Sequence, residues 1–569
     1  MRKFACDFET NTHEDNVSVW AFACCEIGNP DNFIYGNNIN DFIKWCKTKH
    51  ENYLLYFHNL KFDGEFIFYY LLSNGYIFIK DKKDKKDKTF TCLISDTGQF
   101  YSIEIYFDTK NKTRCNKVTI YDSLKILNFS VDQIAKNFNL PIRKLEIDYN
   151  IIRDENHTLT KEEIDYIRND VEIMARALDI MFKQNLTKMT IASNALAFYK
   201  ELNPNFEKYF PILNYHLDQD LRYSYKGGFT YLNPIYKNKD VKNGLVLDVN
   251  SLYPSVMYNE KLPIGEPVYF KGEYKQDKLY PLYIQRISCS FKLKKNKIPT
   301  IQIKGNLSFV PNEYLESSKG DIVSLTLTNV DLELFFEHYD VEFLIYHCGW
   351  KFKGINGLFN KYINYWSENK IQAKKDENSS LYLIAKLMLN SLYGKFGLNP
   401  NVRGKYPYLD NGIVKYHMLD KEIRDSIYIP VASFITSYAR RKTITTSQKI
   451  KEYSINKYGK DLYIYSDTDS IHTLLTNEEE LKKIVDIDDY RLGAWKIESR
   501  FTKAKFVRQK CYIEEFEDKL NVTVAGLPKK LGSLVTFKNF KQGFTCEGKL
   551  SFKHVKGGVL LAPTTFTIK

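Results

Sequence analysis

Two separate sets of acidic side chains stand out in this chain of 569 residues. The first is Asp7, Glu9, Asp63 and Asp170; the second is Asp248, Asp467 and Asp469. Each set suits two divalent cations, Mg2+ or Mn2+. At a separation of about 3.5–4 Å such a pair stabilises the attacking and leaving oxygens of a phosphoryl transfer. The chemistry implied is cleavage of nucleic acid at one site and its synthesis at the other.

In the first set, strand alternation across FACDFET puts Asp7 and Glu9 on one face and Phe8 on the other. Asp63 follows a second apolar stretch, in YFHNLKFDGEF. Asp170 lies on a long helix with Tyr166 one turn earlier on the same face. Three distant segments converging with a tyrosine would describe 3′–5′ exonuclease chemistry. A carboxylate at a strand end also serves structural turns, and the residues alone leave both readings open.

In the second set, GLVLD is an apolar strand that delivers Asp248 to its end. YIYSDTDS is another, running into a turn that must aim Asp467 and Asp469 at one place. An Asx-rich surface turn is the alternative; the apolar run before it argues for burial. Lys386, Asn390 and Tyr393 share one helical face, where a lysine can grip a triphosphate and a tyrosine can back a base. Lys370 and Lys374 lie on the partner helix, and Gly394 would let a backbone approach closely.

The elements that must position these residues follow from periodicity. The first ~185 residues alternate short strands and helices, an α/β pattern. A helix is predicted from about Lys161 to Gln184. It carries a Thr160/Glu163 capping box and a stripe of Ile164, Ile167, Val171, Met174, Leu178 and Met181. A strand-rich region is predicted from there to about residue 350. A helical pair over 357–394, broken at 376–380, comes next. The tract KDKKDKKDK at 80–88 reads as a solvated hairpin tip between two strands.

Composition sets the outer bounds. The length predicts about four domains. A formal charge of +13 with 42 Tyr and 38 Phe suits phosphate backbones and unpaired bases. The ten cysteines contain no CxxC, which argues for reduced thiols and against a zinc cluster. No signal peptide and no apolar run of about 18 residues is apparent, so a monomer in the cytoplasm, with no membrane partner, is expected.

Taken in order, the motifs resemble those of family B DNA polymerases. DVNSLYPS (248–255), KLMLNSLYG (386–394) and YSDTDS (465–470) are similar to motifs A, B and C, and Lys510-Cys511-Tyr512 to the KxY motif. DFET, NLKFD and YIRND are similar to the three exonuclease motifs, and Tyr225-Lys226-Gly227-Gly228 to the YxGG link. The exonuclease motifs begin at residue 7, and long gaps separate motif A from B and B from C. Both features resemble the protein-primed polymerases of small phages, the phi-29-like subfamily, with its two insertions.

That resemblance implies an α/β and α+β multidomain fold: an RNase H-like exonuclease followed by a right-hand polymerase. The expected boundaries are exonuclease 1–188, palm 189–260, first insertion 261–356, fingers 357–397, second insertion 398–427, palm 428–529 and thumb 530–569. It implies Asp248, Asp469 and the Val249 carbonyl as metal ligands, with Asp467 close by. Tyr253 would exclude a 2′-OH, Lys374 and Lys386 would hold the triphosphate, and Asn390, Tyr393 and Gly394 would line the nucleotide pocket. Thr436, Arg440, Lys510 and Tyr512 would hold the primer, with Tyr225, Gly227 and Gly228 on the DNA path. In the editing site Asp7, Glu9, Asp63 and Asp170 would bind metal, assisted by Tyr166 and Lys144. Thr10, Tyr56, His58, Asn59, Phe62, Ser123 and Leu124 would hold a frayed 3′ end.

The implied partners are template and primer DNA, dNTPs and a terminal protein. Tyr382 stands where a further lysine is expected. The alternative is a stand-alone 3′–5′ exonuclease with an inactive, DNA-binding palm; the intact second acid set and Lys386 argue against it.

Overall fold

The computed structural model describes residues 1–47, 51–107, 116–154, 157–517 and 519–569. An eight-stranded mixed sheet forms the N-terminal part. Its central strand, Arg2–Thr10, pairs antiparallel with Val19–Glu26 and parallel with Tyr53–Phe57. Phe4 and Phe8 pack on Trp45 and Phe42 of the helix Ile39–Cys46, and with Cys6 they share one apolar cluster with Phe57, Phe66 and Phe68. The opposite face, with Ala5, packs against the helix Lys161–Lys183. That helix starts at the expected capping box, with Thr160 and Glu163 bonded reciprocally. The expected stripe is buried except for Ile164, which is half-buried.

The tract at 80–88 is not a hairpin tip. Ile77–Phe78 and Thr89–Phe90 are parallel neighbours, so the tract crosses over between them. It forms a short 3-10 turn at Lys82–Asp84. Lys82 pairs with Glu104 at 2.8 Å, and Lys80 with Glu422 at 3.4 Å. Alternation revealed two strands but carried no information on their direction.

A second, seven-stranded sheet forms the centre. Asp240–Val249 lies between Trp495–Arg508 and Ser470–Thr473, and Tyr463–Asp467 follows. The helix Ile429–Tyr458 underlies it, and Leu252–Asn259 packs beside that helix. The region after residue 188 opens with helices rather than strands: Ile191–Leu202, Phe206–Tyr209 and Tyr215–Arg222. Thr190 and Asn214 cap two of them through side-chain oxygens. These helices are short and aromatic, so their period was too brief to separate from a strand pattern.

Strands dominate only from residue 230. Leu262–Lys271, Tyr339–Ile355, Leu282–Leu293 and Val323–Thr328 make a four-stranded sheet with its own apolar cluster around Ile287, Phe291 and Phe335. The helical pair is Asn360–Lys375 and Ser379–Ser391, and Asn378 caps the second helix through Leu381 N at 3.0 Å.

Two hairpins return to the N-terminal sheet: Lys405–Asp410 with Ile413–Met418, and Thr545–Val555 with Gly558–Thr567. Val414, Val555, Val559 and Leu560 join the cluster on the helix Leu60–Ser73. The approach is close. A Cβ on Gly557 would sit 2.3 Å from the Val17 carbonyl oxygen, and one on Gly558 2.5 Å from the Phe66 ring.

Candidate active sites

The first acid set assembles around the strand Arg2–Thr10. Carboxylate oxygens of Asp7, Glu9 and Asp170 lie within 4.8 Å of one another. Asp63, in the first turn of Leu60–Ser73, stands just outside this trio and is 3% exposed. Burial, and then repulsion from Asp170, pushes the Asp7 carboxyl up to about 7. Burial and the neighbouring acids hold Glu9 and Asp63 well above the ordinary carboxylate range. Burial also raises Asp170, against the pull of Lys144, whose ammonium pairs with it.

Among the described residues, Oδ1 of Asp63 and of Asp170 have no hydrogen-bond partner. Buried, mutually repelling acids with free oxygens are the donor set of a divalent-cation site, so the residues present fit one. Tyr166 hydroxyl bonds to that of Tyr149, a residue the sequence reading missed. Tyr149 has no spacing relation to any acid that could have singled it out.

The residues expected at the frayed end divide by burial. Thr10 and Phe62 are partly exposed, Asn59 is exposed, and Leu124 is partly exposed. His58 is fixed by Ser123 Oγ at 3.0 Å and the Phe129 carbonyl at 2.7 Å, and burial lowers its pKa. Asn59 adopts φ 74°, and its N–H and that of Leu124 both donate to Asp122 Oδ1 at 3.0 Å. Two of these residues lie deeper. Tyr56 is 2% exposed and packs on Tyr121 and Phe182. Ser123 is fully buried, and its hydroxyl donates to the Phe57 carbonyl. Both lie beneath the exposed residues of the site.

In the second set, Asp248 sits opposite both Ser470 and Lys496, on neighbouring strands. The turn between Asp467 and Asp469 needs Thr468 at φ 59°, held by its N–H to the Phe229 carbonyl at 2.7 Å. Val249 N–H donates to the Asp469 carbonyl at 2.8 Å. Burial and then Asp469 push Asp248 up to about 6, and burial and Asp467 raise Asp469. Asp467 is already served by Thr230 Oγ1 at 3.2 Å, Tyr465 hydroxyl at 3.3 Å and the Lys510 ammonium at 3.2 Å.

Two residues unforeseen from the sequence join here. Glu498 raises both Asp248 and Asp469, and the Lys496 ammonium lies 3.4 Å from Asp248. Alternation in WKIES puts 496 and 498 on one face, but only the pairing shows that this face belongs to Asp248.

Around it, Tyr253 stacks on Tyr393 at 4.1 Å. Lys386 and Asn390 are exposed. Burial lowers Lys370, and so do Lys386, Lys496 and Lys374, so four ammonium groups converge. Lys374 also lies 5.9 Å from the Tyr490 ring. A Cβ on Gly394 would meet none of the described residues within 4 Å, so no described segment of the chain itself approaches it closely.

Gly228 does, because its Cβ would lie 2.7 Å from the Thr468 side chain; at Gly227 there is open space. Tyr225 fills the room left by Gly397. Lys510 donates its N–H to the Tyr465 hydroxyl at 3.0 Å, and Tyr512 stacks on Phe506 at 5.4 Å.

Thr436 and Arg440, expected at the primer, both lie beneath the surface. Thr436 is 1% exposed and bonds its own helix through the Ala432 carbonyl. Arg440, 4% exposed, pairs with Asp331 and donates to the carbonyls of Lys226 and Gly227 at 2.8 Å. It anchors the link from within.

The family description of organellar and viral type B DNA polymerases matches residues 45–486. The chain is 45% identical to the DNA polymerase of Bacillus phage M2 and 43% identical to that of Bacillus phage phi29, over 100% of this chain and 100% and 99% of those. It is 35% identical to the DNA polymerase of Streptococcus phage Cp-1, over 100% of this chain and 98% of that one. Its structure resembles phi29 DNA polymerase complexed with primer-template DNA and incoming nucleotide substrates. The TM-score is 0.92 at 43% identity, over 100% of both chains. With both acid sets in place on such a fold, the chain belongs to the organellar and viral type B DNA polymerases and is a DNA-templated DNA polymerase with a divalent-metal requirement.

Proposed function

We propose that the Asp248–Asp467–Asp469 site extends a primer and that the Asp7–Glu9–Asp63–Asp170 site trims its 3′ end. The observation that carries this reading is the convergence of two sets of mutually repelling acids in two separate parts of the fold, one beside the N-terminal sheet and one on the central sheet. When bound, two Mg2+ or Mn2+ ions per site would neutralise the phosphates and activate the attacking oxygen.

The side chains do the rest. Asp248 and Asp469, with the Val249 carbonyl, would hold the ions. Tyr253 and Tyr393 form a stacked floor against which sugar and base are placed. Lys386, Lys370, Lys374 and Lys496 would grip the triphosphate. Lys510, already on Asp467, would bridge to the primer phosphate, with Tyr512 behind it. In the editing site Lys144 and the Tyr166–Tyr149 pair would orient the scissile phosphate. His58, Asn59, Phe62, Thr10 and Leu124 would line the path of the unpaired strand.

The domain limits adopted are exonuclease 1–188, palm 189–260 and 428–529, first insertion 261–356, fingers 357–397, second insertion 398–427 and thumb 530–569. Protein priming in a phage-infected cell is part of the same proposal. The separately cored sheet of the first insertion would meet a terminal protein, whose hydroxyl replaces the primer 3′-OH.

Extension of a labelled primer with and without dNTPs tests the two-site reading. Asp469→Ala should lose extension by a thousandfold or more, on the order of known single-group losses, and keep 3′ shortening. Asp7→Ala with Asp170→Ala should do the reverse. Loss of both activities in either folded variant would overturn the assignment.

A further inference from the structure

The central sheet buries a polar pair that the proposed chemistry does not use. His472 Nδ1 lies 2.8 Å from Glu514 Oε1, and each residue is 2% exposed. His472 is on the strand Ser470–Thr473, directly after the Asp467–Asp469 turn. Glu514 is on the strand Cys511–Phe516, directly after Lys510. These two strands are not neighbours. Asp240–Val249 and Trp495–Arg508 lie between them in the sheet. Adjacent strands sit about 4.8 Å apart, so a flat sheet would separate the two backbones by about 14 Å. The bond therefore requires the sheet to curl. It joins the two walls of the resulting trough, beside an apolar lining of Val246, Phe501, Ala504 and Phe506.

Taking such a pair out of water is costly unless each partner satisfies the other. Its surroundings point to what it supports. The His472 ring lies 5.3 Å from both Tyr465 and Tyr512 and 5.4 Å from Phe506. Tyr465 ties the two walls together above the pair. Its hydroxyl accepts the Lys510 N–H at 3.0 Å and donates to Asp467 at 3.3 Å. Lys510 needs that support. Its φ of 55° is rare for a residue with a side chain and persists where the surroundings fix it. From that turn its ammonium reaches Asp467 at 3.2 Å.

We propose that the His472–Glu514 bond is a positioning device for primer extension: it sets the spacing between the Asp467–Asp469 turn and the strand that carries Tyr512. The bond fixes the curl of the sheet. The curl seats His472 against Tyr465 and Tyr512, and Tyr465 holds the Lys510 turn beside the acids. Without the bond the sheet relaxes toward a flatter form, and Lys510 moves away from Asp467. With Lys510 and Tyr512 holding the primer end, the reading on which this proposal rests, the spacing decides how firmly that end sits at the acid site. His472 and Glu514 are buried and touch no substrate, so both are positioning residues.

The test is single-nucleotide incorporation over a range of primer-template and dNTP concentrations. His472→Leu and Glu514→Leu should each raise the primer-template concentration for half-maximal rate about tenfold, the factor for one lost hydrogen bond to a charged group. The half-maximal dNTP concentration should change less than about twofold, because Tyr253, Lys386 and Tyr393 lie on other elements. Glu514→Gln should stay within about twofold of the unmodified protein in both, since its amide oxygen still accepts from Nδ1. Shortening of a single-stranded oligonucleotide from its 3′ end should be unchanged in all three.

The double variant His472→Leu/Glu514→Leu separates positioning from mere burial. It leaves no unpaired polar group, so a pair that served only to satisfy itself would be replaced at little loss. As a positioning pair, it should leave the double variant needing as much primer-template as the poorer single variant and no more. Recovery of the unmodified primer-template dependence in the double variant would overturn the proposal and leave the two-site reading intact. So would additive losses, or equal rises for primer-template and dNTP. Should a single leucine variant fail to fold, a raised primer-template requirement in the double variant with none in Glu514→Gln carries the same test. Absence of incorporation by the unmodified protein would instead strike the polymerase reading itself.

Discussion

At the scale of single residues, the acids are defined by what they cost without cations. Asp7 sits at about 7 because burial, and then Asp170, oppose its charge. Its folded value lies above its unfolded one, so the folded chain binds the extra proton. Without metal, stability therefore falls as pH rises from about 4 to about 7, and stays low above that range. A bound cation removes the penalty only where the carboxyl is ionised. Addition of Mg2+ should raise the melting temperature more at pH 8 than at pH 6, by a few degrees. The excess should shrink in Asp7→Asn. Equal gains at both pH values, or an unaltered excess in Asp7→Asn, would refute this. The same residues show what a sequence can and cannot carry. Asp248 and Asp467 were legible because apolar strands run into them. Lys496 and Glu498 were not, because their role comes from strand pairing across the sheet.

At the scale of elements, signals written in consecutive residues survived and those set by tertiary pairing did not. The Thr160 capping box fixed the start of its helix, and Asn378 the restart of the helical pair. The parallel pairing of Ile77–Phe78 with Thr89–Phe90 lay beyond reach, as did the exposed setting of Gly394, because both depend on what lies opposite. The link at 225–228 gives a paired prediction. A methyl group on Gly228 would press on Thr468, whose φ of 59° shapes the turn between Asp467 and Asp469. A displacement of about 1 Å in a reacting group can cost a hundredfold in rate. Gly228→Ala should thus lower single-nucleotide incorporation by about tenfold to a hundredfold and spare 3′ shortening. Gly227→Ala, facing open space, should leave incorporation unchanged. Rapid-quench incorporation assays decide it. Equal effects at the two glycines would mean that the link acts through flexibility and not through the turn.

At the scale of the whole molecule, charge and topology make different claims on DNA. A formal charge of +13 brings the duplex in by releasing counterions, and this attraction falls steeply with salt, by about 0.9 logarithmic units per phosphate contact. Topology acts after arrival. The C-terminal hairpin and the strands Lys405–Asp410 and Ile413–Met418 pack on the N-terminal domain, so distant parts of the chain share one apolar cluster. The contacts on the chain's side of this packing are Val414, Val555, Val559 and Leu560. Such contacts are screened far less than exposed charges. Initial binding should therefore weaken by orders of magnitude between 50 and 200 mM salt, as expected for several phosphate contacts. Product length per binding event should decline much less over the same range. Measuring affinity by titration and product length under a competitor trap, at each salt concentration, separates the two. A product length that tracks affinity in the unmodified enzyme would show that charge alone keeps it on its template.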